Sequence, residues 1–278
     1  MNIVSILAHI ENVDGEIYER LSPRRKAMKE FFNFGSKVAV AAIPLAFGTM
    51  LKKAYGQSAS PAVIGVLNFA LTLEYLEYHF YNHSLLAAPG LIPAGAANGA
   101  ITTIRDHEKA HVDLLTGAIT AAGGTPASFT YAQFDFTAKG TFNAVYSDYP
   151  TFLAVAQAFE DTGVRAYKGQ APELMGSPYL EAALNIHSVE ARHASHIRQM
   201  RKAPGGGGVD IKPWVTGAND SGVAAAAPVY AGEDNVVQAG ITITNINGQD
   251  VSVNAATASF DEPLSRTQVE AIAALFIK

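Results

Sequence analysis

Four stretches of this chain space their apolar residues like the inward faces of helices, and each face is broken near its middle by an acidic residue. In the first, Val63, Leu67 and Ala70 lead to Glu74, then to Glu77/Tyr78 and Tyr81. The second, roughly 97–122, aligns Ile101, Ile104, Glu108, His111, Leu115 and Ala118 and stops at Gly123-Gly124. The third opens near Pro150 and lines up Leu153, Ala156, Glu160, Gly163/Val164 and Tyr167. The fourth, from about Ser177-Pro178 to Met200, lines up Ala183, Ile186, Glu190, His193 and Ile197. Helices that bury these faces must bury the polar residues too, so any shared core has carboxylates at its centre.

The breaks recur in order. Glu74 with Tyr81 two turns on, then a Glu-x-x-His at Glu108/His111, are followed by Glu160 with Tyr167, then a Glu-x-x-His at Glu190/His193. The chain therefore reads as two related helix pairs, which predicts a centre with approximate twofold symmetry. The link over 125–149 is long and lacks a helical stripe, as expected of a crossover between the second and third helices. The expectation is an all-α four-helix bundle over 61–202.

Four unpaired carboxylates in an apolar core are prohibitive, because each buried ion costs several kcal/mol even after relaxation. Cations remove the problem. A Glu and a His three apart on a helix point the same way, so Glu108/His111 and Glu190/His193 can each grip one ion, with Glu74 and Glu160 bridging or capping. The chain has no cysteine, so ligands are oxygen and imidazole; two iron or manganese ions are favoured, and zinc fits the same donors. The alternative is a buried hydrogen-bonded network without metal. Among the flanking residues, Glu77 reads as a neighbour of the first ligand, His79 and His83 as surface, and His107 as facing elsewhere, about 100° round the helix from Glu108. His187 can substitute for a ligand, orient one, or sit at the surface; His196 points to solvent.

One Glu from each of two helices and Glu-x-x-His from each of the others resembles the ferritin-like di-iron and di-manganese proteins. Leu67-Asn68-Phe69-Ala70-Leu71-Thr72-Leu73-Glu74-Tyr75-Leu76-Glu77-Tyr78 is similar to the exported bacterial branch of that superfamily, itself similar to plant desiccation-related proteins. The likeness spans about 61–200, with a weaker echo at Phe260-Asp261-Glu262-Pro263-Leu264. It implies a ferritin-like bundle with Tyr81 and Tyr167 near the metals, as core residues with bonded hydroxyls or as participants in the chemistry.

Residues 1–60 carry Arg24, Arg25, Lys26 and Lys29 ahead of an apolar run, Val38 to Leu51, and a small-residue stretch, AYGQSAS. That is an export pattern resembling a twin-arginine signal, which predicts a periplasmic or extracellular protein. The run is too short, against the roughly 20 residues a membrane span needs, to be a stable anchor. With a net charge of −5 and no basic block interleaved with aromatics, nucleic acid is excluded as a partner. Residues 203–278 read as a glycine-rich flexible linker and an extension: Ile241–Ile246, a tight turn at Asn247-Gly248 and Gln249–Val253 as a small hairpin, then a short helix capped by Ser265 and Gln268 and ending near Phe276. Two strands cannot stand alone, so the extension should pack on the bundle or on a partner. The leading functional expectation is a two-metal protein acting with O2 or peroxide, in an oxidase-like or stress-protective role. Its alternative is a non-catalytic desiccation-related scaffold, and a storage cage is disfavoured by the long tail. Self-association is left open.

Overall fold

The structure, a computed structural model, describes residues 59–208 and 210–278. Helix α1 (Pro61–Leu86) starts at Ser60, whose hydroxyl accepts from the Val63 amide at 3.3 Å, with Pro61 in the first turn. Helix α2 (Ala96–Ala121) ends where the sequence breaks it. Gly123 turns left-handed (φ 81°) and the Gly124 amide reaches back to the Ile119 carbonyl at 2.9 Å. Helix α3 (Tyr149–Gln170) is capped by Asp148, which accepts from the Thr151 amide at 2.9 Å, and α4 (Tyr179–Lys202) follows Pro178. α1 packs along α2 and α3 along α4, so the two helical hairpins of the sequence reading are present.

The crossover from α2 to α3 is held by aromatic packing. Phe134 and Phe136 join Phe80, Phe152 and Phe159 in one buried cluster. His79 and His83, expected at the surface, are anchors for this segment instead. His79 Nε2 lies 3.0 Å from the Phe129 carbonyl, and the His83 ring stacks on Tyr131 at 4.2 Å. Their placement on the outer side of α1 is as read; what covers that side is the crossover, which a single-helix pattern cannot show.

The tail folds back on the bundle. Gly205–Gly208, read as a flexible linker, form a bonded turn: the Gly206 amide donates to Ala203 and the Gly208 amide to Arg201, at 2.9 and 2.8 Å. Beyond it, 3-10 helix Ala224–Tyr230 packs on α3, and the chain then forms two hairpins rather than one. β1 (Val237–Gln238) pairs antiparallel with β2 (Ile241–Thr242), and β3 (Asn245–Ile246) with β4 (Gln249–Asp250). The turn at Asn247-Gly248 (φ 54° and 74°) is the expected one. The other, at Ala239-Gly240 (φ 49° and 82°), puts an alanine in a conformation the sequence gives no reason to expect. Ile243 is drawn into the core between the hairpins, which splits the expected Ile241–Ile246 strand in two. Short helix α5 (Val253–Thr257) follows, and α6 (Arg266–Ala273) begins at the Ser265/Gln268 capping box. The last residues clip onto the crossover: Asp135 N donates to the Phe276 carbonyl at 2.7 Å and Lys278 N to the Gln133 carbonyl at 2.9 Å.

Buried arginines on α3 and α4 dock this tail. The Arg165 guanidinium pairs with Glu233 at 2.8 Å and donates to the carbonyls of Val229, Ala231 and Glu262. Arg198 bridges Asp161 on α3 (2.7 Å) and Asp220 in the tail (2.9 Å), and Arg201 donates to Gln157 and to the Ser221 carbonyl. Gly169 lets the Leu264 backbone cross α3 directly; any Cβ there would strike the Leu264 carbonyl. No helix among the described residues is long and apolar enough to cross a membrane. The export-signal reading falls on residues 1–60, of which only Ala59 and Ser60 are described.

Candidate metal centre

Each helix delivers its central polar residues to one interior point. Glu74 (α1), Glu108 and His111 (α2), Glu160 (α3), and Glu190 and His193 (α4) are all buried, the four carboxylates completely. They form two overlapping groups. Glu74, Glu108, His111 and Glu190 offer donor atoms within 4.8 Å of one another, and so do Glu108, Glu160, Glu190 and His193. Glu108 and Glu190 belong to both groups. Glu74 and Glu160 each belong to one group only.

Both imidazoles turn Nδ1 inward. His111 Nδ1 lies 3.0 Å from Glu74, 3.2 Å from Glu108 and 3.2 Å from Glu190. His193 Nδ1 lies 2.8 Å from Glu108, 3.3 Å from Glu160 and 3.9 Å from Glu190. The tyrosines act crosswise: Tyr81 donates to Glu160 and Tyr167 to Glu74, each at 2.5 Å. Each therefore steadies a carboxylate of the opposite helix pair, not the one on its own helix.

Glu77 completes the cluster. It is buried one turn beyond Glu74, and its counterpart on α3 is Gly163, where a Cβ would lie 3.3 Å from both Glu77 Oε1 and Glu190 Oε2. The missing side chain on one half makes room for the extra carboxyl on the other. Burial drives the Glu77, Glu160 and Glu190 carboxyls above their ordinary range, and burial, offset in part by His111, pushes Glu74 up to about 7. Glu108 alone is drawn down, burial being outweighed by the close approach of the His111 and His193 imidazoles. Burial also opposes charge on the imidazoles, yet the surrounding carboxylates outweigh it and raise both, His193 to about 11.

Even so, the protein's own groups leave the centre unsatisfied. Glu108 Oε1, Glu160 Oε2, both Glu190 oxygens and His193 Nδ1 are buried, and although an imidazole nitrogen comes within 4 Å of each of these oxygens, none is aligned to make a well-directed hydrogen bond with them. Buried carboxylate oxygens are rarely left so, and a cation is the partner that suits five carboxyls and two inward imidazole nitrogens at once. The donor set fits a hard or borderline metal held by oxygen and nitrogen.

Of the remaining histidines, His107 is exposed and outside the cluster, as read, yet its Nδ1 lies 2.9 Å from the outer nitrogen of His193, because the 100° step from Glu108 turns it toward α4. His187 is half-buried on the tail side, near Asp261 and Lys168, and takes no part in the cluster. His196 is exposed, as expected. At one end of the bundle an apolar cavity of about 30 Å³ lies between the helices, bounded by Leu67, Ala70, Leu115, Ala118 and Ala183 and reaching Tyr167.

The fold and the centre agree with what the chain matches. The model of the ferritin-like domain covers residues 62–203, just over half of the sequence. The chain belongs to the ferritin-like family. The matched span runs from the start of α1 to just past the end of α4, so it takes in all six cluster residues and stops where the tail begins. No curated protein and no solved structure matches the chain.

Proposed function

We propose that this ferritin-like protein holds two iron or manganese ions between its helix pairs and uses them with dioxygen or peroxide, in an oxidase-like or protective role outside the cytoplasm. The observation that carries the proposal is the pair of overlapping donor groups that share Glu108 and Glu190 and retain unpartnered buried oxygens. When bound, two adjacent redox-active cations supply electrons to an O–O bond and stabilise the charge that develops on its oxygens.

The chain's residues set the conditions for that chemistry. Glu108 and Glu190 face both cation positions, and Glu74 and Glu160 close the ends, held by Tyr167 and Tyr81. The apolar cavity ending at Tyr167 suits a small, uncharged oxidant and offers little to a charged or bulky organic substrate. Glu77, buried and raised, can keep a proton beside Glu190. The export pattern of residues 1–60 supports the extracytoplasmic placement.

Elemental analysis of protein purified from its native compartment, paired with an aerobic Fe(II) oxidation assay, tests the reading. Two ions per chain, lost together in Glu108→Ala or Glu190→Ala, are expected, with oxidation abolished in the same variants. A metal-free protein of unchanged stability would make the bundle a scaffold, and bound metal without turnover would remove the oxidase role.

A further inference from the structure

Two related helix pairs build the centre, so each residue of one half has a counterpart in the other. Tyr81 on Glu160 is matched by Tyr167 on Glu74, and His193 reaching Glu108 is matched by His111 reaching Glu190. The match fails beside the imidazoles. The residue before Glu108 is His107, while the residue before Glu190 is Val189.

His107 Nδ1 and His193 Nε2 are 2.9 Å apart, with ring planes within 15° and centroids separated by 5.2 Å. At that separation two near-parallel imidazoles lie edge to edge, so the shared proton sits in the plane of both rings, as a hydrogen bond requires. Val189 has only an aliphatic side chain, so it gives His111 no equivalent partner.

The pairing decides a tautomer. His193 Nδ1 is the nitrogen that faces Glu108, Glu160 and Glu190. To hold a cation it must present a lone pair, so the neutral ring must carry its proton on Nε2. His107 Nδ1 accepts that proton's hydrogen bond. Without the acceptor, the Nε2 proton loses its partner and the ring is no longer held with Nδ1 turned toward the carboxylates. Among the described residues, no side chain makes such a hydrogen bond to the outer nitrogen of His111.

We propose that His107 is a positioning residue for His193, so that the cation position built from Glu108, Glu160, Glu190 and His193 binds more tightly, and fills earlier, than the one built from Glu74, Glu108, His111 and Glu190. The proposal rests on the two-cation reading above. It makes the two positions unequal, although their carboxylate sets are nearly mirror images.

Calorimetric titration of the full chain with Mn(II) tests it. The wild-type protein should bind two ions in two resolved steps. His107→Ala should weaken the tighter step by about 10–100-fold, the usual effect of losing such a partner, and leave the other step in place. His107→Asn, whose amide oxygen can accept the same N–H, should recover most of the loss. In a Glu74→Ala background, which keeps only the His193 position, His107→Ala should weaken binding; in a Glu160→Ala background, which keeps only the His111 position, it should change nothing. A His107→Ala titration that superimposes on the wild type, with two ions bound in each, overturns the inference and leaves the two-cation reading standing. Fewer than two ions on the wild-type protein overturns that reading itself.

Discussion

Helices α3 and α4 carry two buried charged centres a few ångströms of chain apart, and the centres solve the same problem in opposite ways. Glu160 points into the carboxylate cluster; Asp161, the next residue, points to the tail side and meets the Arg198 guanidinium at 2.7 Å and the Tyr230 hydroxyl at 2.7 Å. On the tail side the protein supplies the opposite charge itself: neither Asp161 nor Arg198 is left with an unpartnered buried atom, and the charged-group atoms that are, Arg201 Nε and Glu233 Oε2, belong to groups bonded through their other atoms. In the bundle the carboxyls outnumber the imidazoles and buried oxygens remain unpartnered. A fixed internal counterion makes a joint. A centre whose carboxyls outnumber its imidazoles suits a cation from outside the chain.

The largest effect should come from breaking the joint. Arg198→Ala strands Asp161 and Asp220 and should lower unfolding stability by about 3–5 kcal/mol, with or without added metal, in denaturant titrations. An Arg198→Ala protein as stable as the wild type would show that the tail is not held by this pair. Next is the carboxylate centre. Mn(II) at 100 to 1,000 times its dissociation constant should raise the stability of the wild-type chain by about 3–4 kcal/mol, seen as a rise in melting temperature that Glu108→Ala abolishes.

The two centres should also part company with pH. A carboxyl whose folded-state value lies above its unfolded value favours the fold while protonated, and that contribution fades as pH climbs through the folded value. For Glu74 the window runs from its ordinary 4.5 to about 7, so the metal-free protein should lose stability as pH rises across it. Metal must displace the same protons, so Mn(II) affinity should increase over that interval, with proton release measurable by calorimetry in buffers of different ionisation heat. Smaller still, Glu190→Gln removes one unmatched carboxyl and should stabilise the metal-free protein at pH 8 by about 1–2 kcal/mol while eliminating the metal-dependent gain, a reversal of sign absent from the arginine joint. Tyr167→Phe, which deletes one hydrogen bond to Glu74, should cost about 1 kcal/mol in the melting of the metal-free chain.

The bundle was legible because burial imposes a period that a sequence displays: the stripes around Glu74, Glu108, Glu160 and Glu190 became α1 to α4, and all six expected cluster residues converge. Partners across the fold leave no such mark. The angle between His107 and Glu108 can be read from the sequence, but not that α4 brings His193 within reach of it. Arg165, Arg198 and Arg201 look like ordinary helix-surface cations until the tail lies over them. The roles of Gly163 and Gly169 depend on what comes close, Glu77 in one case and the Leu264 backbone in the other. The second hairpin stayed hidden because its turn uses Ala239, where local preference argues against the conformation that tertiary packing imposes.

The clasp between residues 276–278 and the crossover joins parts of the chain made far apart in time. Synthesis as far as Met200 yields all four helices, but the Phe276 ring that seats on Phe159, one residue from Glu160, does not yet exist. Ile272, Ala273 and Phe276 lie over Glu77 and Gly163, so that flank of the carboxylate cluster is covered by residues placed about seventy positions after Met200.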